Sequence, residues 1–160
     1  MTDLAWLPPL LEFDWNDYGS CIERAYEQYQ RDFGTPQLRP RFQGMDVREK
    51  FHPAFQDKSG TFWHLLTEGN DEQSRTPVRE RIERISWPRA LIENSADSSR
   101  VCSWLARKKH QDRWHLALTD FSYLVVLAAH QRYVVLWTAF FVERQYQREK
   151  LRKEFLSAPK

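Results

Sequence analysis

Apolar positions recur at helical period over residues 16–33, where Tyr18, Cys21, Ile22, Ala25, Tyr26, Tyr29 and Phe33 fall on one face of "NDYGSCIERAYEQYQRDF". Asp14 or Asn16 supplies an N-cap and Gly34 with Pro36 the stop, so the pattern predicts one amphipathic helix with a charged outer face. From Leu38 to Lys50 the period changes. Leu38, Phe42, Val47 and Phe51 are spaced by basic residues, with Gly44 at a turn, and this predicts extended chain. "NDEQSRT" at 70–76 is a polar loop, and Pro77 after it suits the first turn of a helix. Val78, Ile82, Ile85, Leu91 and Ile92 predict two short helices up to residue 94, broken at Trp87-Pro88. "SADSS" is a further loop, and "RVCSWLARKKH" a short amphipathic segment.

The last third reads as strands. "RWHLALT" alternates, while "FSYLVVLAA" and "RYVVLWTAFFV" are β-branched and aromatic runs joined by "HQR". They predict a hairpin buried on both faces or nearly so. The tail "ERQYQREKLRKEF" is a charged helix whose apolar anchors are Tyr146, Leu151 and Phe155. The fold class expected is α+β, with N-terminal helices packed on a C-terminal antiparallel sheet that a charged C-terminal helix closes. At 160 residues the chain suits one domain, with 1–37 as a helical extension and 38–155 as an α+β core.

Composition narrows the chemistry. Hydrophobic residues at 41% and charged residues at 29% describe a soluble globular chain. The net charge of +2 provides no global basic excess, so any nucleic-acid binding must rest on local clusters. Cys21 and Cys102 follow no metal-ligand spacing and read as free thiols. The first residues lack the basic start of a signal peptide, and no apolar run is long enough to span a bilayer. A cytoplasmic protein without membrane contact is expected. With five glycines and no phosphate-cradling loop, no HExxH, no CxxC and no G-x-S-x-G, the common cofactor, metal and hydrolase motifs drop out.

Histidine, arginine and hydroxyl remain. In "GTFWHLLTEG" a strand would put Phe62, His64 and Leu66 on one side, whereas a helix would group Phe62, Leu65 and Leu66 and turn His64 away. His64 is then either a hydrogen-bonded core histidine or a catalytic group on an apolar support. Arg75, Arg79, Arg81, Arg84 and Arg89 follow within fifteen positions. Glu80 and Glu83 can pair with some of them in a solvated helix face. They are too few to neutralise all five, and the guanidinium fork suits phosphate. Thr138 is the only hydroxyl in its apolar run, and a threonine in a strand needs no function.

Three segments, "GTFWHLLTEG", "RTPVRERIERISWPRALIEN" and "YVVLWTAFFVERQYQREKLRKEF", resemble in order the pattern of a phage-associated nuclease family of the barnase–EndoU–colicin–RelE superfamily. The resemblance covers roughly residues 38–155. It rests on His64, Arg81, Arg84-Ile85, Trp87, and the closing Tyr133, Leu136, Thr138, Ala139 and Phe140. It implies metal-independent cleavage of RNA by attack of the 2′-hydroxyl, with no cofactor. His64 would be general base or acid, Arg81 and Arg84 phosphate ligands, and Thr138 a hydroxyl on the phosphate. Arg79 is a weaker phosphate ligand, and Trp87 and Tyr133 are candidates to stack on bases. The second proton-transfer group is not identified. The family also implies an RNA substrate, a protein inhibitor or antitoxin, and a toxin or effector role in a phage or mobile element. Degenerate members that bind RNA or protein without cutting are the alternative.

Overall fold

The computed structural model describes residues 4–159. Helix α1 spans Tyr18–Tyr29 and buries Cys21, Ile22, Ala25 and Tyr29. Its cap is Asp17, whose carboxylate accepts from the Ser20 N–H at 3.1 Å, rather than Asp14 or Asn16. Asp14 instead accepts from the Asn16 N–H and closes the turn before the helix. A π turn at Gln30–Gly34 and a short 3-10 turn at Pro36–Leu38 end the segment, so Gly34 and Pro36 mark the stop as expected. Tyr18 lies outside the buried face, 50% exposed.

Strands β1 (Arg41–Phe42) and β2 (Met45–Arg48) form a hairpin whose turn places Gln43 and Gly44 at φ 50° and 78°. Helix α2 follows at Gly60–Leu66, then the short strands β3 (Thr67–Glu68) and β4 (Thr76–Pro77). Pro77 therefore sits in a strand. The Val78 N–H is drawn to the Leu66 carbonyl at 3.0 Å, which delays α3 to Arg79–Glu83. Helix α4 runs Trp87–Glu93 with Trp87-Pro88 inside its first turn, so the break falls just before them. Strands β5 (Val101–Ala106), β6 (Arg113–Leu118), β7 (Tyr123–Ala129) and β8 (Tyr133–Phe141) make an antiparallel meander. Helix α5 (Gln145–Ser157) closes the chain.

The fold is α+β, with one departure from a purely antiparallel sheet. The six strands run β1-β2-β8-β7-β6-β5, and β2 pairs with β8 in parallel. A central β8 explains its apolar run. One face of the sheet meets α1, α2, α3 and α4 in the main core, which gathers Ile22, Phe33, Phe62, Leu66, Ile82, Leu91 and Val125 among others. Residues of α1 thus share one core with the rest of the chain. The other face carries Trp104, Leu124 and Val126, and Leu151 and Phe155 of α5 pack there. Tyr146 does not anchor the helix, being 63% exposed.

Strand β8 carries a bulge. Val126 faces Thr138 and Leu127 faces Leu136, which leaves Trp137 as the extra residue. Beyond Val135, β2 no longer covers the edge of β8, and α2 takes its place. The Thr61 hydroxyl donates to the Leu136 carbonyl at 3.1 Å, and the Thr138 hydroxyl to the His64 carbonyl at 3.2 Å. The first bond satisfies a carbonyl on the edge of β8 and the second a carbonyl near the end of α2, so hydroxyls join helix to strand where no backbone ladder does.

Phe62 is fully buried, with its ring against those of Tyr26, Tyr29 and Trp63. Phe62→Ala is expected to cost about 3–5 kcal/mol in urea unfolding, whereas Tyr146→Ala on the outer face of α5 should stay within about 0.5 kcal/mol.

Candidate functional site

The sequence "GTFWHLL" forms a helix because Ser59 caps it, accepting from the Phe62 N–H at 3.1 Å, and because Phe62, Leu65 and Leu66 then share the buried side. A seven-residue helix ends with carbonyls that no further turn can satisfy. The arginines answer that need. Arg81 donates through Nη1 to the His64 carbonyl at 2.9 Å and also to the Thr67 carbonyl. Arg75 donates to the Thr67 hydroxyl at 2.9 Å, the Thr67 carbonyl at 2.6 Å and the Gly69 carbonyl at 2.6 Å. Positive charge at this end also complements the helix dipole.

The remaining arginines disperse. Arg84 donates to the Glu80 carbonyl at 3.0 Å, lies 3.6 Å from Glu83 and sits over the rings of Phe141 and Trp87. Arg79 lies over Trp15, 4.8 Å from the ring centre. Arg89 bonds Glu93 at 2.9 Å and the Asp32 carbonyl at 2.7 Å. The expected convergence of Arg81, Arg84 and Thr138 on the His64 imidazole is not the geometry found. Arg81 and Thr138 meet His64 at its backbone carbonyl, and Arg84 lies apart between aromatic rings. Trp87 is buried, donates Nε1–H to the Pro8 carbonyl at 2.9 Å and packs edge-on against Tyr123, so no face is open for a base.

The His64 side chain leaves the helix on its other side. Its Nε2 is 2.8 Å from Glu72 Oε1, and its ring stands edge-on to Trp137 at 6.1 Å. A small cavity beside it is lined by Lys50, His52, Thr61, Glu72 and Trp137. Burial lowers the pKa of His64 below the ordinary histidine value; Arg75 adds to the effect and Glu72 opposes it. The ring is therefore neutral near pH 7, and with Nε2–H given to Glu72 the free acceptor is Nδ1.

Lys50 and Trp137 also line a wider groove of about 410 Å³, together with Arg48, Gln111, His130 and Tyr133. Strand register builds it. Arg48, Val135, Ala128 and Arg113 stand side by side across β2, β8, β7 and β6. The Trp137 ring lies between Lys50, whose Nζ is 4.9 Å from its centre, and Arg113, at 5.0 Å. Tyr133 stacks on His130 at 4.6 Å and lies under Arg48 at 3.9 Å. Tyr133, a proposed stacking residue from sequence, is thus on this groove. Glu49 at its rim is 3.7 Å from Arg39 and Arg48 is 4.0 Å from Asp46, while Lys50 and Arg113 bring positive charge to Trp137.

Sequence reasoning missed Lys50, Glu72, Arg113 and Trp137. Alternation along "VREK" and "YVVLW" puts Arg48 with Lys50, and Tyr133 with Trp137, on common faces, but nothing in the sequence says that β2 lies beside β8. No helix among the described residues is long and apolar enough to cross a membrane. No family model matches the sequence, and the curated proteins and solved structures compared with it yield no significant similarity.

Two outcomes follow from the geometry. Arg81→Met removes donors from two carbonyls and should lower unfolding free energy by about 1–3 kcal/mol, with Arg79→Met close to neutral. Because His64 is held below the unfolded histidine value, its contribution to stability is present above that value and is lost as pH falls through the folded one. By NMR, His64 should titrate below pH 6.5, and Glu72→Gln should push it lower still, since the carboxylate raises it.

Proposed function

We propose that this chain binds single-stranded RNA along the open half of its sheet and cleaves it without a metal, with His64 as the proton acceptor. The observation that carries the reading is a neutral imidazole, oriented by Glu72, at the end of a groove where Trp137 lies between Lys50 and Arg113. Cationic groups lying over half-buried aromatic rings suit the phosphate backbone of an unpaired strand. In the reaction the 2′-hydroxyl gives its proton to Nδ1 of His64 and forms a bond to the adjacent phosphorus. The bond to the 5′-oxygen breaks, and that oxygen takes a proton from His52, the second imidazole lining the cavity. Lys50 and Arg113, in place of Arg81 and Arg84, balance the charge that builds on the phosphate. Arg81 and Thr138 act as positioning residues through the His64 carbonyl. The family resemblance extends the proposal to a phage or mobile-element toxin or effector restrained by a protein inhibitor.

A second reading is an RNA-binding module that does not cut. The engagement of Arg81 and Thr138 with the backbone favours it, because Arg79, Arg81 and Arg84 are all engaged away from the imidazole.

Purified protein should cleave single-stranded RNA in EDTA, and His64→Ala should reduce the rate by at least ~100-fold. Lys50→Ala and Arg113→Ala should each weaken binding across sequences and lower the salt dependence by about one phosphate contact. Binding without any cleavage selects the second reading; neither binding nor cleavage removes both.

A further inference from the structure

A cavity of about 290 Å³ opens between the end of α1 with its π turn, helix α4 and the segment 8–11. It shares no lining residue with the His64 cavity or with the groove at Trp137. Pro8, Pro9, Leu11 and Ala90 make its apolar wall. That wall is fixed in place. The Pro8 carbonyl accepts from Trp87 Nε1 at 2.9 Å, and the Leu11 N–H donates to the Glu83 carbonyl at 3.0 Å.

Two buried polar residues, Asp32 and Ser86, also line the cavity, each only 8% exposed. Oδ1 of Asp32 accepts from Gln28 Nε2 at 3.2 Å, but Oδ2 is buried with no hydrogen bond among the described residues. The Ser86 hydroxyl is buried and unpartnered in the same sense. It stands at the cap position of α4, yet Pro88 at the second helical position has no N–H to offer, and the hydroxyl makes no cap bond. Asp32 belongs to the π turn, and it is buried where Glu23, Arg24, Glu27 and Arg31 of the same segment stay exposed. Buried polar atoms without partners are rare in folded chains, and two of them facing one cavity call for a ligand.

Charge defines the ligand. Arg89 gives its Nε–H to Glu93 at 2.9 Å and an Nη1–H to the Asp32 carbonyl at 2.7 Å. Arg31, on the exposed side of the turn, faces Glu27 at 4.0 Å. With Arg89 balanced by Glu93, an ionised Asp32 leaves one negative charge uncompensated. Burial pushes its carboxyl up to about 6; Gln28, Arg89 and Arg31 oppose that shift, and Glu93 adds to it. An anion would meet two carboxylates here. A hard metal ion asks for six or more oxygen ligands, and among the described residues no three acids, histidines or cysteines gather to hold one. An ammonium group carries the single positive charge required, and its N–H donors match a carboxylate oxygen and a hydroxyl.

We infer that this cavity binds a primary ammonium group on a short aliphatic chain, from a lysine side chain of a partner protein or from a free alkylamine. The ammonium donates to Asp32 Oδ2 and Ser86 Oγ, and the methylene groups lie along Pro8, Pro9, Leu11 and Ala90. The site stands independently of the RNA reading.

The test is an NMR titration of the full chain with n-butylammonium and with Nα-acetyl-lysine methylamide, the Nε-acetylated form of the latter being the neutral control. Both amines should shift the Asp32 and Ser86 signals saturably, and the control should not. Tighter binding of the lysine derivative identifies a lysine side chain as the source; equal or tighter binding of butylammonium identifies a free amine. Asp32→Asn keeps the shape and the Gln28 bond but loses the charge, and should weaken both about tenfold or more. Ser86→Ala should weaken them about threefold. Affinity should fall below about pH 6, because protonation of Asp32 competes with the ammonium. No saturable shift with either amine, an equal response to the neutral control, or unchanged affinity in Asp32→Asn overturns the inference. If Asp32→Asn fails to fold by circular dichroism, Ser86→Ala and the pH dependence decide.

Discussion

The carbonyl groups at the C-terminal end of α2 tie together segments that lie far apart in the chain. Four of them need partners within one turn of chain. The Trp63 carbonyl accepts from the Thr67 hydroxyl at 2.6 Å, His64 from Arg81 and Thr138, Leu66 from the Val78 N–H, and Thr67 from Arg75 and Arg81. Helix α2, the β3–β4 loop, α3 and the bare edge of β8 are joined there, although they come from positions up to 74 residues apart. A backbone acceptor buried without a donor costs about 1–3 kcal/mol, so a cluster of them compels an ordered local arrangement. Arginine suits the task because its planar fork reaches two carbonyls at once.

That arrangement determines where the chemistry can lie. With its backbone held from below, His64 has its imidazole turned toward Glu72 and Trp137, onto the side of the sheet that α5 leaves open. The bulge at Trp137 works in the same direction. It lets Leu136 and Ala139 both face the main core while the Trp137 ring stays on the other side, between Lys50 and Arg113. The two faces of the sheet are thereby unequal: one is covered by four helices, the other half covered by a helix with few apolar anchors.

Electrostatics follows packing. The net charge of +2 would suggest indifference to polyanions, yet Arg48 at the end of β2, Lys50 just after it and Arg113 of β6 arrive on one strip, and nearby acids are partly engaged elsewhere. Asp46 pairs with Arg41 at 2.8 Å while its other oxygen stands 4.0 Å from Arg48, and Glu49 faces Arg39. Burial rather than charge dominates the titration of the site, since desolvation is the largest influence on His64 and also on His115 under α5. A histidine kept neutral in this way is available as a base at a pH where an exposed one would be partly protonated.

Much of the fold was legible as pattern. The apolar face of α1, the Gly44 turn, the helix pair around Trp87 and the β7–β8 hairpin all follow from local periodicity and turn chemistry. Where the reading failed or stayed open locally, a partner strand or helix end decided it. Pro77 is in a strand because Val78 is claimed by Leu66, and "RVCSWLARKKH" begins as β5 because β6 lies beside it. The site was legible only as ingredients. The sequence by itself determined that His64 stands on an apolar support and that a run of arginines follows it. Only the tertiary structure decided that those arginines serve carbonyls, and that Lys50, Arg113 and Trp137 form the open strip beside His64. Helical and strand periods are properties of neighbouring residues. The parallel pairing of β2 with β8, and the end of α2 against that strand, depend on contacts that no local pattern encodes.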